Sequence, residues 1–392
     1  MAQDISPATW PRPAVRNGIA PLLLLLTLDA LNGLTSLLVE GLLSMPAAVA
    51  KILIIGYMLM YSRISLAVLI LFLTLILLAL LPVYYQGFSG ATIDLWSKTA
   101  SVALLFIVLI DYLEKVRPRA VELYLCVALL VIAVSFLSGL FGVGHIRYGE
   151  VREGFALKTN GFLIAGNEIN AALLALFWWL AVRRRQASHD AAGPGRALLS
   201  YKGLYWLCLA AILISSSKTT ILGALLIILY FGRGRVLSML LGLVGVLTAA
   251  IIVYVTGLWH RWAFFYLLYA DRGLLSAMTG GRTARIEDHP FRWPESLVEG
   301  VPILANGNGL IESDPLDLVY NLGLPGLLWY GLFLVLLFRI GRGGSYFPAV
   351  LLAVATVGAG HIVYSVFAAP IIACALYMAA RPAPTAVQPH KI

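Results

Sequence analysis

Apolar segments long enough to cross a membrane follow one another along most of this chain, and they constrain its fold more than any other feature. The chain has 392 residues, of which 60% are hydrophobic and only 12% are charged, and its mean hydropathy is +0.89. Soluble domains carry about 25% charged residues on average. The composition therefore predicts an integral membrane protein.

The apolar segments predict an all-α polytopic membrane protein with about 12 transmembrane helices, in which residues 1–392 form a single integral membrane domain. A full span needs ~20 residues. Several segments are shorter, notably the pairs that meet around Arg63, Ser215–Lys218 and His361. The predicted spans are residues 20–44, 47–62, 64–83, 96–113, 121–142, 161–182, 203–217, 219–231, 236–256, 318–338, 346–360 and 362–380.

The basic residues predict the orientation of these spans. Most of the 28 lysines and arginines lie in alternate short loops, which places those loops and both termini in the cytoplasm. Among these cytoplasmic segments are a loop at 183–202 and a proline-containing tail at 381–392, which we expect to be disordered.

Two long outer loops on the opposite side, 143–160 and 257–317, hold further arginines among acidic residues. Basic residues on this side run against the positive-inside rule, so we infer a functional reason for them. Within the larger loop, Trp259–Leu275 is amphipathic and is predicted to lie flat on the membrane surface. This distribution explains the formal charge of +9 without nucleic acid.

No pattern in the sequence predicts a metal, a disulfide or a nucleotide cofactor. Cys126, Cys208 and Cys374 lie inside apolar segments, so they cannot be read as a disulfide framework or a metal site. The histidines lack metal-ligand spacing, and no Walker, Rossmann or nucleophile-elbow motif occurs. Chemistry in this chain would therefore depend on ionisable side chains.

Three carboxylates, Glu312, Asp314 and Asp317, precede the apolar segment 318–338. Pro315 fits the first turn of a helix and Asp314 fits its N-cap, where capping could be its entire role. Asp317 is not needed for capping, and a carboxylate at the mouth of a span can act as a general base. We therefore predict Asp317 and Asp314 as catalytic, with Asp317 favoured as the base and Asp314 as the cap that orients the site. Glu312 is predicted as a peripheral substrate contact.

Arginines in the two outer loops provide complementary positive charge. Arg282 follows two glycines, which allow the backbone to turn tightly and place the side chain. Guanidinium groups bind phosphate bidentately and stay charged at physiological pH, so we predict that Arg282 is catalytic. The same reasoning assigns substrate binding to Arg285, Arg147 and Arg152. The alternative is that these arginines are solvated or paired with acidic neighbours.

Polar residues also lie at or inside apolar segments. Asn167 and Glu168 open a span, and Lys218 lies in a Ser-Lys-Thr turn. Charge in such places is costly unless it has a partner, so we predict that these three residues contact substrate. Polar contact between packed helices is the alternative, and Asp29 in the first span raises the same question.

The order of these motifs resembles the Wzy-type O-antigen and exopolysaccharide polymerases, which are relatives of the O-antigen ligases. Members have about a dozen spans, an Asn-Glu stretch, a Ser-Lys/Arg-Thr turn and a large outer loop with Gly-Arg, Gly-x-Gly, Asp and Gly-x-x-Gly. The corresponding residues here, within 100–370, are Gly161–Glu168, Ser217-Lys218-Thr219, Gly281-Arg282, Gly307, Gly309, Glu312, Asp314, Asp317, Gly323 and Gly326.

The resemblance implies an activity. Such enzymes transfer a growing glycan from one undecaprenyl-pyrophosphate carrier to the non-reducing end of another lipid-linked repeat unit. They work on the periplasmic face of the bacterial inner membrane and need no metal or nucleotide sugar. The implied partners are the lipid-linked oligosaccharide donor and acceptor and membrane lipids, and the resemblance leaves room for a chain-length regulator protein.

Residue chemistry agrees with this activity. Arginines can stabilise the leaving pyrophosphate, a carboxylate can accept the proton of the acceptor hydroxyl, and attack opposite the leaving group inverts the anomeric centre. Ligases, which transfer glycan to lipid A core, carry a histidine where this chain has Asp317, which favours a polymerase. A lipid-linked oligosaccharide flippase or another transporter would also use intramembrane charges, but here the charge concentrates in two outer loops.

Overall fold

The computed structural model describes residues 18–39, 42–145, 161–164, 166–189, 200–215, 217–232, 245, 270, 272–273, 282–301, 311–342 and 344–381. Within these residues the fold is all-helical, with 13 helices. The helices are α1 (Ala20–Ser36), α2 (Ser44–Met60), α3 (Leu66–Tyr85), α4 (Gly90–Lys115), α5 (Pro118–Leu140), α6 (Gly166–His189), α7 (Tyr201–Ser215), α8 (Lys218–Phe231), α9 (Arg282–Asp288), α10 (Glu295–Glu299), α11 (Asp314–Ile340), α12 (Phe347–Ala359) and α13 (Ala368–Ala380).

Eleven of the twelve predicted spans overlap a helix, and of the twelfth, 236–256, only residue 245 is described. Four helices, α3, α4, α5 and α11, are long and apolar enough to cross a membrane, and several shorter helices are also apolar. The helices are thus those of a multi-pass membrane protein.

Local signals explain where several helices begin. Ser65 Oγ accepts a hydrogen bond from Val68 N at 3.4 Å at the start of α3, and Ser89 Oγ accepts one from Thr92 N at 3.2 Å at the start of α4. Such caps satisfy amide groups that have no partner within the helix. Pro118 begins α5, where its missing N–H has no cost.

The bounds of several predicted spans differ from those of the helices, and α4, for example, begins at Gly90 instead of residue 96. Helix α1 ends at Ser36 instead of residue 44, and α13 begins at Ala368 instead of 362. Helix α6 begins at Gly166 instead of 161, because residues 161–164 run as irregular chain between α1 and α5. Leu163 N donates to Ser135 Oγ of α5 at 3.0 Å, and a Cβ on Gly33 of α1 would lie 1.9 Å from the Phe162 carbonyl oxygen.

Contacts near the ends of the helices distinguish the two ends of the bundle. At one end Arg63 N donates to Asp111 Oδ2 at 2.6 Å, and the Arg183 guanidinium pairs with Glu122 at 3.2 Å. At the other end Gln86 Nε2 donates to the Asn321 carbonyl oxygen at 2.7 Å. We call the first the basic end, defined by turns 61–65, 116–117 and 341–346 with Arg183 and Arg381. We call the second the site end, defined by residues 86–89, 143–145, 161–164, 289–301, 311–313 and 360–367.

Burial varies from helix to helix. Helix α13 is almost completely buried from Ala368 to Met378, and it packs against α6 at the centre of the bundle. Helices α1, α2 and α3 instead expose large apolar side chains, among them Ile52, Leu66 and Leu77. In a membrane protein such faces contact lipid. The bundle therefore has a buried core around α13 and α6 and lipid-facing helices outside it.

Candidate functional site

Asp314 begins α11, but its side chain does not cap that helix. The N-cap is Ser313, and Asp314 is fully buried. Its Oδ2 atom accepts hydrogen bonds from Ile362 N at 2.9 Å and Val363 N at 3.1 Å, in the irregular segment before α13. The prediction that Asp314 is the N-cap is therefore wrong, because the carboxylate turns away from its own helix and fastens another part of the chain.

Asp317 lies three residues further along in the same first turn of α11, and its carboxylate is also fully buried. Oδ1 accepts from Ile311 N at 2.6 Å, and Oδ2 accepts from Ser313 N at 3.1 Å and from the Tyr364 hydroxyl at 3.3 Å. Hydrogen bonds to a charged acceptor are the strong ones. Asp317 therefore holds segment 311–313 on α11 and links it to the segment before α13.

The two segments that these aspartates hold are pressed together through their backbones. Glu312 and His361 both have positive φ, +68° and +67°, which is uncommon for residues other than glycine. Gly360 has φ +66°, and a Cβ at this position would lie 2.5 Å from the carbonyl carbon and oxygen of Glu312. Only glycine fits at position 360, and Glu312 beside it has a strained backbone conformation.

Gly360→Ala is expected to lower the free energy of unfolding by ~1–3 kcal/mol or more, because the backbone at φ +66° and ψ 178° is open essentially to glycine alone and the clash with Glu312 adds to the strain. Thermal unfolding of the purified protein in detergent measures the effect. Gly358→Ala is the control, since its Cβ would meet Thr219 at an ordinary 3.9 Å. Equal Tm values for the two variants would contradict the contact.

Arg282 joins Glu312 to the end of α12. Its Nη2 atom lies 3.6 Å from Glu312 Oε2, and its Nη1 atom donates to the Gly358 carbonyl oxygen at 2.6 Å. A cation is favourable at the last carbonyl groups of a helix. The side chains of Arg282 and Glu312 are 22% and 29% exposed, unlike the buried aspartates. They form the open, charged part of the site.

Residues of two other sequence motifs, at the starts of α6 and α8, also lie near Tyr364 and Arg282. Glu168, in the first turn of α6, lies close enough to the Tyr364 hydroxyl to interact with it electrostatically, as do Asp314 and Asp317. Thr219, in the first turn of α8, faces Gly358, whose carbonyl oxygen accepts from Arg282. Segments widely separated in the chain therefore converge on one cluster, which we call the acidic-arginine cluster (Glu168, Arg282, Glu312, Asp314, Asp317 and Tyr364).

The Gly-x-x-Gly motif has a structural role beside this cluster. Gly323 breaks α11 with φ +58° and ψ −143°, and a Cβ there would lie 2.3 Å from the Leu297 carbonyl oxygen of α10. Gln86 closes the arrangement by donating to the carbonyl oxygens of Glu299, at 3.0 Å, and Asn321. The break lets the short helix α10 pack closely against α11, next to the buried aspartates.

Several predicted site residues cannot be placed. Arg147 and Arg152 lie outside the described residues, and so do the side chains of Arg285 and Lys218, although their backbones belong to α9 and α8. Asn167 is half-buried at the start of α6. Among the described residues, no group of three His, Cys, Asp or Glu side chains is arranged to hold a metal ion.

The residues before α13 contribute more to the site than the sequence indicated. His361 was predicted to mark a turn, and the turn is confirmed between α12 and α13. Its ring also lies 5.4 Å from the ring of Tyr364, centroid to centroid, and Tyr364 donates to Asp317. The sequence signal for this segment is the interruption of two short apolar helices by Gly360-His361.

No protein-family profile, curated protein or solved structure matches this chain. The resemblance to Wzy-type polymerases therefore rests on the order of the sequence motifs. The structure adds that several of these motifs lie together at one end of the bundle.

Proposed function

We propose that this protein is a polysaccharide polymerase of the Wzy type. It would transfer a glycan from undecaprenyl pyrophosphate to the non-reducing end of another lipid-linked repeat unit, on the periplasmic face of the bacterial inner membrane. The observation that carries the proposal is the partly exposed Arg282–Glu312 pair, which lies beside two buried aspartates at one end of an apolar bundle. The lipid tails of such a substrate need an apolar surface, its pyrophosphate needs a cation, and its sugar hydroxyl needs a base.

Arg282 is assigned to stabilise the pyrophosphate leaving group. As the bond between the anomeric carbon and the pyrophosphate oxygen breaks, the electron pair and negative charge go to the pyrophosphate. A fixed guanidinium stabilises that developing charge without reorganising. Its contacts with Glu312 and the Gly358 carbonyl oxygen fix its position before substrate binds.

The acceptor hydroxyl needs a base, and Glu312 is better placed than Asp317. Asp317 is fully buried and both of its oxygens already accept hydrogen bonds. Glu312 is partly exposed beside Arg282. We assign proton acceptance to Glu312 and positioning of its segment to Asp317. The sequence-based assignment of Asp317 as the base stays a prediction, which a variant comparison below tests.

Together these roles balance the reaction. The acceptor oxygen attacks the anomeric carbon, its proton passes to the Glu312 carboxylate, and pyrophosphate departs on the opposite side of the sugar. Attack opposite the leaving group inverts the anomeric centre. The sugar must then enter between Arg282 and Glu312, so the 3.6 Å contact between these two side chains opens when substrate binds. Proton transfer to a positioned carboxylate contributes ~10²–10⁴-fold in such reactions.

Exposed aromatic residues support a position for the site at the membrane surface. Phe88 and Trp293 of the site end are 55% and 74% exposed, and Tyr84 and Tyr85, in the adjoining last turn of α3, are 65% and 54% exposed. Tyrosine and tryptophan are enriched where the hydrocarbon core meets water. A lipid carrier would therefore present its pyrophosphate at the depth of the acidic-arginine cluster.

Cysteine labelling is expected to place the site end outside the cytoplasm. A cysteine at the exposed position Trp293 should react with a membrane-impermeant thiol reagent in intact spheroplasts, and one at exposed Tyr346, at the basic end, should not. The native Cys126, Cys208 and Cys374 are buried or half-buried. Labelling of the unmodified protein therefore measures the background reaction. The reverse labelling pattern would contradict the orientation.

Purified protein incubated with lipid-linked repeat units tests the activity. A ladder of products with increasing repeat number is expected. A single transfer, seen only when lipid A core is supplied, would instead identify a ligase.

A transporter is the second candidate, because the structure contains an ion pair between Lys51 and Asp29 within α1 and α2 as well as the break in α11. Transbilayer movement of the lipid-linked unit without any change in repeat number would favour that function and contradict the polymerase.

A further inference from the structure

A cavity of about 200 Å³ opens at the basic end, where helices α6, α8, α11, α12 and α13 come together. It shares no residue with the acidic-arginine cluster at the opposite end of the same helices. Its lining combines aromatic rings, one arginine, a hydroxyl and small residues, including Trp178, Tyr230, Phe231, Arg185, Ser345 and Ala379.

Aromatic rings give the cavity a rigid wall. The ring of Trp178 lies 5.3 Å from that of Tyr230, which stacks on Phe347 at 4.7 Å. The hydroxyl groups of Tyr230 and Ser345 are 3.2 Å apart. Apolar surface thus lies beside hydrogen-bonding groups, an arrangement that suits an amphiphilic ligand.

The charge of the cavity favours an anion. Arg185 contributes to the lining, and its guanidinium carbon lies 6.0 Å from the centre of the Phe231 ring. None of the described lining residues is acidic. The surrounding basic end also carries Arg184, Arg339, Arg342 and Arg381, so an anionic group would be attracted to the mouth of the cavity.

The size of the cavity limits what it can hold. Pockets for complete small molecules enclose ~300–1,000 Å³, so this one accommodates a headgroup and not an entire lipid. Acyl chains would remain outside, along apolar side chains of the bundle. Basic pockets between helices at a membrane surface bind anionic headgroups in this way.

We propose that this cavity binds the headgroup of an anionic phospholipid from the surrounding leaflet, with Arg185 contacting the phosphate and the aromatic wall packing against the glycerol backbone. The site is separate from the proposed polymerase site, and no residue of that site is needed for it. Its occupancy can be measured without any glycan substrate.

The full-length protein is purified in detergent, stripped of lipid, and titrated with phosphatidylglycerol or with phosphatidylcholine of the same acyl chains. Bound lipid is counted by native mass spectrometry, and the Tm is followed in parallel, because a ligand that binds the folded state raises it. Phosphatidylglycerol should be retained and should raise the Tm more than phosphatidylcholine. Equal binding of the two lipids would overturn the proposal.

Arg185→Gln should weaken phosphatidylglycerol binding by about tenfold or more, since it removes hydrogen bonds to a charged group. Arg184→Gln is the matched control on the same helix, because Arg184 stacks on Tyr205, 4.8 Å from the ring centre, and does not line the cavity. Equal losses in the two variants would show general charge attraction and overturn the site.

Ala379→Leu provides an independent test, because it fills the cavity and leaves the guanidinium in place. It should reduce phosphatidylglycerol retention as Arg185→Gln does. Retention at the level of the unmodified protein would show that lipid binds elsewhere.

Discussion

Glu312→Gln is expected to lower the turnover of lipid-linked repeat units by ~10²–10⁴-fold while the protein stays folded, because proton transfer to a positioned carboxylate is worth that much. Glutamine keeps the size of the side chain but cannot accept the proton. Glu312 is partly exposed, so its replacement leaves no buried group without a partner. Polymer yield per unit time and thermal unfolding of the same preparation provide the two measurements.

The controls for Glu312→Gln are the two buried aspartates. Asp317 accepts amide hydrogen bonds at both oxygens. In Asp317→Asn the amide NH₂ would face a backbone N–H, which costs ~1–3 kcal/mol of stability. Asp314 accepts both amides at Oδ2, and its Oδ1 has no hydrogen-bond donor among the described residues. An asparagine can keep its carbonyl oxygen in place of Oδ2 and put its NH₂ in place of Oδ1. Asp314→Asn should therefore lower stability and activity less than Asp317→Asn does.

Activity and stability therefore separate a base from a positioning residue. Glu312→Gln should lose turnover with an unchanged Tm, whereas Asp317→Asn should lose both. A folded Asp317→Asn variant with no turnover, beside an active Glu312→Gln variant, would return the role of base to Asp317. If all three variants kept full activity, Glu168 would be the next carboxylate to test.

Arg282→Lys is expected to reduce the rate by ~10²-fold or more, because a guanidinium fixed for transition-state charge is replaced by a single ammonium. Arg282 reaches Glu312 and the Gly358 carbonyl oxygen through different nitrogens. Lysine keeps the charge but cannot make both contacts and also bind phosphate in a fork. Loss of transition-state stabilisation lowers kcat and kcat/KM together, and initial rates over a range of donor concentrations measure both.

Arg272→Lys is the matched control for this substitution. Arg272 pairs with Asp288 at 3.7 Å, and their side chains are 44% and 60% exposed. Exposed ion pairs contribute little, so this variant should polymerise normally. Equal rates for Arg282→Lys and the unmodified protein would leave Arg282 as a surface charge, and equal losses in both variants would indicate a general effect of charge on the loop.

The positions of the spans were predictable because membrane helices depend on local properties of the chain. A sufficiently long apolar stretch forms a helix in a bilayer whatever its neighbours are, since every backbone group must bond within the segment. The span predicted at 318–338 lies inside α11, and the predicted first turn with Pro315 is also present. Ends were less predictable, because Gly161 and the segment before α13 are irregular through contacts with other helices.

The residue types of the site were predictable for a similar reason. Arginine and carboxylate side chains are rare in so apolar a chain, so their presence near the ends of spans indicated a site before any contact was known. The predicted members Glu168, Arg282, Glu312, Asp314 and Asp317 all lie in the acidic-arginine cluster. The hydroxyl of Tyr364 was missed, because a tyrosine beside an apolar helix carries no distinguishing signal.

Only the tertiary structure decided what each of these groups does. Asp314 and Asp317 occupy the same helix turn in the sequence, yet one fastens residues 362–363 and the other residues 311–313. Glu312 differs from both because its side chain is partly exposed and pairs with Arg282, while its backbone, with positive φ, is pressed against Gly360. The sequence by itself determined which segments are apolar and where charge is available. Burial and hydrogen-bond partners depend on which distant backbone comes close, and the order of residues along one segment does not contain that information.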